Sequence, residues 1–69
     1  MTSVTLNGRR RELPRGATIE AAVREAGTPE AGRGVAVAVD GEVVPRTAWH
    51  RTRLRDGQQV EVLRAVQGG

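Results

Sequence analysis

Apolar residues recur at every second position near both ends of this chain and in its middle, and once between them at helical spacing. Successive side chains of a β-strand point to opposite faces, so period two marks a half-buried strand. In Thr2-Ser3-Val4-Thr5-Leu6-Asn7 the alternating Val4 and Leu6 predict a first strand, and Asn7-Gly8 predicts a tight hairpin because both central turn residues need positive φ. The return strand runs from Arg9 to Leu13, with residues 9–12 in solvent, and Pro14 ends it by removing a donor. Thr18 reads as an N-cap whose hydroxyl accepts a backbone N–H, and Ile19, Ala22, Val23 and Ala26 form the narrow apolar stripe of a helix that Gly27 stops. Residues 28–34 read as a loop. Val35-Ala36-Val37-Ala38-Val39 then predicts a central strand with valines on one face and alanines on the other. Asp40-Gly41 is a second hairpin turn returning through Glu42-Val43-Val44 to Pro45. Arg46 to Thr52 reads as irregular or a short helical turn, and Asp56-Gly57 is a third turn. In the last strand Val60 and Val62 face the core while Glu61 and Leu63 face away. This order predicts an α+β domain: a mixed four- to five-stranded sheet with one short helix packed across one face.

Sixty-nine residues allow one domain, and a chain of this size buries only about 60% of its unfolded surface. Without cysteine there is no disulfide framework, thiol nucleophile or common zinc spacing, and the single His50 has no carboxylate cluster around it to hold a metal. No apolar run approaches the ~20 residues of a membrane span, and the start lacks the pattern of a signal peptide, so the expectation is a soluble cytoplasmic protein without a membrane partner. Trp49, the sole aromatic residue, reads as a core cap under a loop rather than a partner anchor, and His50 as a solvated loop residue. The formal net charge is +3, and all eleven basic residues are arginines. The clusters Arg9-Arg10-Arg11 and Arg51-Arg53-Arg55 raise a nucleic-acid-binding reading. Interspersed acids and the lack of interleaved aromatics argue against it, so no nucleic-acid partner is expected. The absence of lysine leaves the N-terminus as the only primary amine. A GC-rich coding sequence explains that bias adequately; the chemical consequence is the same.

The sequence closes on Leu63-Arg64-Ala65-Val66-Gln67-Gly68-Gly69, a strand passing into a diglycine carboxylate. The expected division is a domain over residues 1–66 and a flexible tail over 67–69. Fully extended, Val66 to Gly69 reaches roughly 13 Å, enough to enter another protein's active site. Glycine is common at irregular chain ends, so the diglycine by itself carries little. No nucleophile or acid–base constellation accompanies it, and the chain is not expected to be an enzyme.

Val4-Thr5-Leu6-Asn7-Gly8, Val35 through Arg46, Leu54-Arg55-Asp56-Gly57 with Val60-Glu61-Val62, and the closing Ala65-Val66-Gln67-Gly68-Gly69 together resemble the ThiS family of sulfur carriers of thiamin biosynthesis, which have the ubiquitin-like β-grasp fold. Two positions depart from that pattern: Asp40 stands where asparagine is frequent, and Gln58 where a second acid is frequent. The resemblance implies that an E1-like (ThiF-like) enzyme uses ATP and magnesium to adenylate the Gly69 carboxylate, with no cofactor bound by the carrier itself. A sulfur donor protein then converts the adenylate to a thiocarboxylate, which passes sulfur to a ThiG-like thiazole synthase. Partner binding is expected on the sheet face not covered by the helix, through Leu63 and Ala65, with Arg64 and Val66 beside them and Gln67 and Gly68 in the tail. Carriers for molybdopterin or cysteine biosynthesis share these features, and a protein-conjugating modifier would use the same tail.

Overall fold

The computed structural model describes residues 1–27 and 34–64. Strands β1 (Thr2–Leu6), β2 (Arg9–Leu13), β3 (Val35–Val39), β4 (Glu42–Val44) and β5 (Gln59–Arg64) form one sheet in the order β2-β1-β5-β3-β4. The first and last strands run parallel, and every other neighbouring pair is antiparallel. Helix α1 (Ile19–Glu25) lies across one face, burying Ile19, Ala22 and Val23 against Val4, Leu6, Val37, Val39, Val60 and Val62. A 3₁₀ helix over Arg46–Arg51 stands where an irregular stretch or helical turn was expected, and it seats Trp49, 5% exposed, at the edge of this core. The indole Nε1–H donates to the Val44 carbonyl at 3.0 Å, which satisfies the one polar group the ring carries inward. This is the β-grasp arrangement, with five strands.

The edge strands are protected in different ways. β2 carries Arg9, Arg10 and Arg11, all exposed, and β4 is only three residues long, so neither offers a flat apolar edge to another chain.

One helix expectation needs correction. Thr18 makes no side-chain cap bond. Its backbone is extended and bridges Arg53, while the Ile19 N–H donates to the Thr52 carbonyl at 3.0 Å. The segment before β5 therefore supplies backbone partners where a capping hydroxyl was expected, and the Thr18 carbonyl begins the helical bonding. At the other end Gly27 adopts φ +73°, the left-handed conformation that stops a helix.

Strand β5 is fastened on both sides by the hairpin turns of its neighbours. Asn7 and Asp40 both take positive φ, 50° and 51°. Each then turns a side-chain oxygen onto the central strand: Asn7 Oδ1 accepts the Val62 N–H at 2.7 Å, and Asp40 Oδ1 accepts the Gln59 N–H at 2.9 Å. Asp40 Oδ2 also accepts from Gln58 Nε2 at 3.3 Å. The two departures from the family pattern thus meet each other. A second acid at 58 would face the Asp40 carboxylate, whereas the Gln58 amide can donate to it. For Asn7 the expectation is quantitative: Asn7→Gly keeps the backbone conformation but orphans a partly buried N–H, costing about 1–3 kcal/mol, while Asn7→Asp retains an acceptor and loses less. Urea denaturation of the two variants measures this; equal stability of Asn7→Gly and wild type would refute the clamp.

Candidate functional site

The sheet face away from α1 carries the outward-phase residues of every strand. On β5 these are Gln59, Glu61 and Leu63, on β3 Ala36 and Ala38, and on β4 Val43. Ser3 and Thr5 on β1 and Arg10 and Glu12 on β2 complete it, with Arg10 Nε donating to Ser3 Oγ at 3.0 Å. The face divides in two. The β2–β1 half is polar, whereas the β5–β3–β4 half places Leu63 opposite Ala36, and Val43 opposite Ala38.

Leu63 and Val43 are 61% and 71% exposed, and with Met1 they are the large apolar side chains most open to solvent among the described residues. The alanines between them are short, so the two larger side chains stand at the ends of a low apolar shelf. Glu61 lies in the register row of Ala38 and gives that shelf one negative group. Exposed apolar side chains clustered on one face are what a docking surface needs, whereas a single exposed leucine would be ordinary.

The structure places Leu63 where the sequence pattern put it. Val43 was missed, although a signal was available: Val44 is the inward residue of a three-residue strand, so Val43 must face outward. Arg64, by contrast, points to the helix side. Its Nη2 donates to the Gly27 carbonyl at 2.8 Å and so ties the end of β5 to the end of α1. A guanidinium has five N–H donors, so this bond occupies only part of its capacity. Ala65, Val66, Gln67, Gly68 and Gly69 lie outside the described residues.

Chemistry-bearing groups are sparse elsewhere. His50 is exposed on the 3₁₀ helix, and among the described residues no three of His, Cys, Asp and Glu are grouped to hold a metal ion. Among the described residues no helix is long and apolar enough to cross a membrane. What remains is an apolar shelf across β5, β3 and β4, with Leu63 on the strand that ends the described residues.

No curated protein matches the chain. Among solved structures, the crystal structure of the thiamine biosynthesis protein ThiS from Geobacter metallireducens is 27% identical with a TM-score of 0.78, and the match covers 99% of this chain and 100% of that one. The solution NMR structure of a thiamine biosynthesis protein from the same organism matches at 27% identity with a TM-score of 0.77, covering 99% of this chain and 88% of that one. The model of the ThiS family matches residues 4–69, from the first core valine through both closing glycines. The family match over residues 4–69 and the shared fold over nearly the whole chain agree, and this chain belongs to the ThiS family.

Proposed function

We propose that this protein is a sulfur carrier of thiamin biosynthesis, its C-terminal Gly69 being adenylated and then converted to a thiocarboxylate that supplies the sulfur of the thiazole ring. The family match running through Gly68 and Gly69 carries this reading. A carboxylate is a poor electrophile, because its charge is delocalised and oxide is a bad leaving group. A partner adenylating enzyme removes that obstacle by joining the Gly69 carboxylate to AMP from ATP, releasing pyrophosphate. The terminal sulfur of a persulfide on a donor protein attacks the mixed anhydride and AMP leaves; a thiol then cleaves the resulting acyl disulfide, freeing the thiocarboxylate and taking the donor's sulfur into a disulfide. Thiazole synthase then takes the sulfur. Magnesium and ATP belong to the adenylating partner, and the catalytic groups lie on the partners.

The carrier contributes two things to this sequence. Glycine at 68 and 69 places no Cβ in a narrow channel and accepts any φ the partner imposes. The Leu63–Val43 shelf gives the adenylating enzyme an apolar surface whose Leu63 end lies on the strand that leads to the diglycine, so docking and presentation of Gly69 are coupled. The lysine-free composition adds a chemical safeguard. Guanidinium groups stay protonated, so an activated Gly69 finds no nucleophilic side-chain amine on another copy.

Intact-mass measurement of the protein from its own cells tests the proposal against a Gly69-deleted form. The expected result is a species in which one sulfur replaces one oxygen, localised to Gly69 and missing from the deletion. If thiamin-starved cells yield only the carboxylate, the sulfur-carrier reading fails. Attachment to lysines of other proteins would instead favour a modifier.

A further inference from the structure

Residues 46–56 hold four arginines and one aspartate, which leaves three positive charges there; seven arginines and seven acids elsewhere cancel. The whole formal excess of the chain therefore sits in one eleven-residue stretch. Arg46, Arg51, Arg53 and Arg55 are all exposed, and among the described residues none of them forms an ion pair. The other described arginines include two that are so paired, Arg11 with Glu25 and Arg24 with Glu20.

The stretch is also held in place. Trp49 and Leu54 are buried beneath it, Leu54 N–H donates to the Ala17 carbonyl at 2.8 Å, and Arg53 bridges Thr18. Because Leu54 faces the core, Arg53 and Arg55 flank it on the outward phase of an extended segment. These ties go to the start of α1, while Arg64, the last described residue, is tied to Gly27 at the far end of the helix. At 1.5 Å per residue the helix separates the two ends by about 10 Å. None of the four arginines belongs to the strands whose residues make up the open sheet face.

We infer that this strip is a second docking surface, one that takes an acidic segment of a partner protein while the tail and the apolar shelf are in use. Arginine forks bind carboxylates in a planar, bidentate fashion, and a strip already fixed by its buried residues loses little further freedom on binding. Single-stranded nucleic acid is the poorer fit, because the only aromatic side chain available for base stacking is the buried Trp49. The surface is independent of the sulfur-carrier reading, since it uses neither Gly69 nor Leu63.

Fluorescence anisotropy of a labelled oligoglutamate peptide, with full-length protein at about 0.15 M ionic strength where the Debye length is about 8 Å, tests this. The triple variant R51Q/R53Q/R55Q is expected to bind about tenfold more weakly, the sum of three exposed charge contacts. The control R9Q/R10Q/R24Q removes the same charge elsewhere and is expected to weaken binding less than about threefold, as screened distant charges do. Deleting Gly68 and Gly69 is expected to leave peptide binding unchanged even if it abolishes sulfur loading. Equal losses in the two triples would reduce the effect to net charge and overturn the inference. Tighter binding of an RNA oligomer of the same charge, or no binding of the peptide by wild type, would overturn it as well.

Discussion

Replacing Trp49 by alanine is expected to lower the unfolding free energy by about 3–5 kcal/mol, the usual cost of emptying a buried aromatic site. At roughly 0.05–0.15 kcal/mol per residue, a chain this short has on the order of 3–10 kcal/mol in total. The loss is therefore about half of the total, and it lowers the midpoint of thermal unfolding by well over about 10 °C. The reason is geometric: the indole is the only aromatic body in the core, and it joins the 3₁₀ helix to the sheet through its bond to Val44. Trp49→Phe separates the two contributions. It keeps most of the apolar area and leaves the Val44 carbonyl without its donor, for a loss of about 1 kcal/mol. Far-ultraviolet circular dichroism is the right readout, because Trp49 is the sole chromophoric ring and its removal abolishes the fluorescence signal. A loss below about 1 kcal/mol for the alanine variant would mean that Trp49 is not a principal core element.

The second large effect is expected at the shelf. Leu63→Thr with Val43→Thr should weaken association with the proposed adenylating partner by about 2 kcal/mol or more, roughly 30-fold, if these two side chains are the anchors. Threonine favours strands, and both positions are exposed, so unfolding should change by no more than about 0.5 kcal/mol. Thr5→Ala on the polar half of the same face is the comparison and should change affinity little. Titration calorimetry of the three proteins against the adenylating enzyme decides the matter. Equal affinity of the double variant and wild type would remove the shelf from the interface.

Much of this architecture was legible because local rules and the global fold agree. Asn7-Gly8 and Asp40-Gly41 announced hairpins, and both asparagine and aspartate stand at positive φ. The alternation in residues 35–39 and 60–63 placed every valine and Leu63 correctly. What could not be read was non-local. The parallel pairing of β1 with β5 joins residues more than fifty positions apart, and no local pattern encodes it. The same holds for Thr18, whose cap role passed to the backbone of Thr52, and for Arg64, whose bond to Gly27 depends on where the helix ends. The second uses of Asn7 and Asp40, as clamps on β5, were hidden behind their turn signal, since a turn preference accounts for the residue type without reference to what its side chain touches. On the functional face, Val43 was overlooked because Leu63 alone sits next to the tail in sequence. Val43 joins it only through two strand pairings.

The position of β5 has a mechanical consequence. A strand bonded on both sides and pulled along its own axis loads its cross-strand hydrogen bonds together, since those bonds lie across the direction of pull. Peeling an edge strand would break them one after another. The partner proposed above, in gripping Gly69, would pull on β5 through the five residues beyond Arg64. Five residues span at most about 18 Å. The folded body thus acts as a ruler, setting how deep the terminal carboxylate can travel, and lengthening or shortening that tether by one residue would move the reacting carbon by about 3.5 Å while leaving the fold untouched.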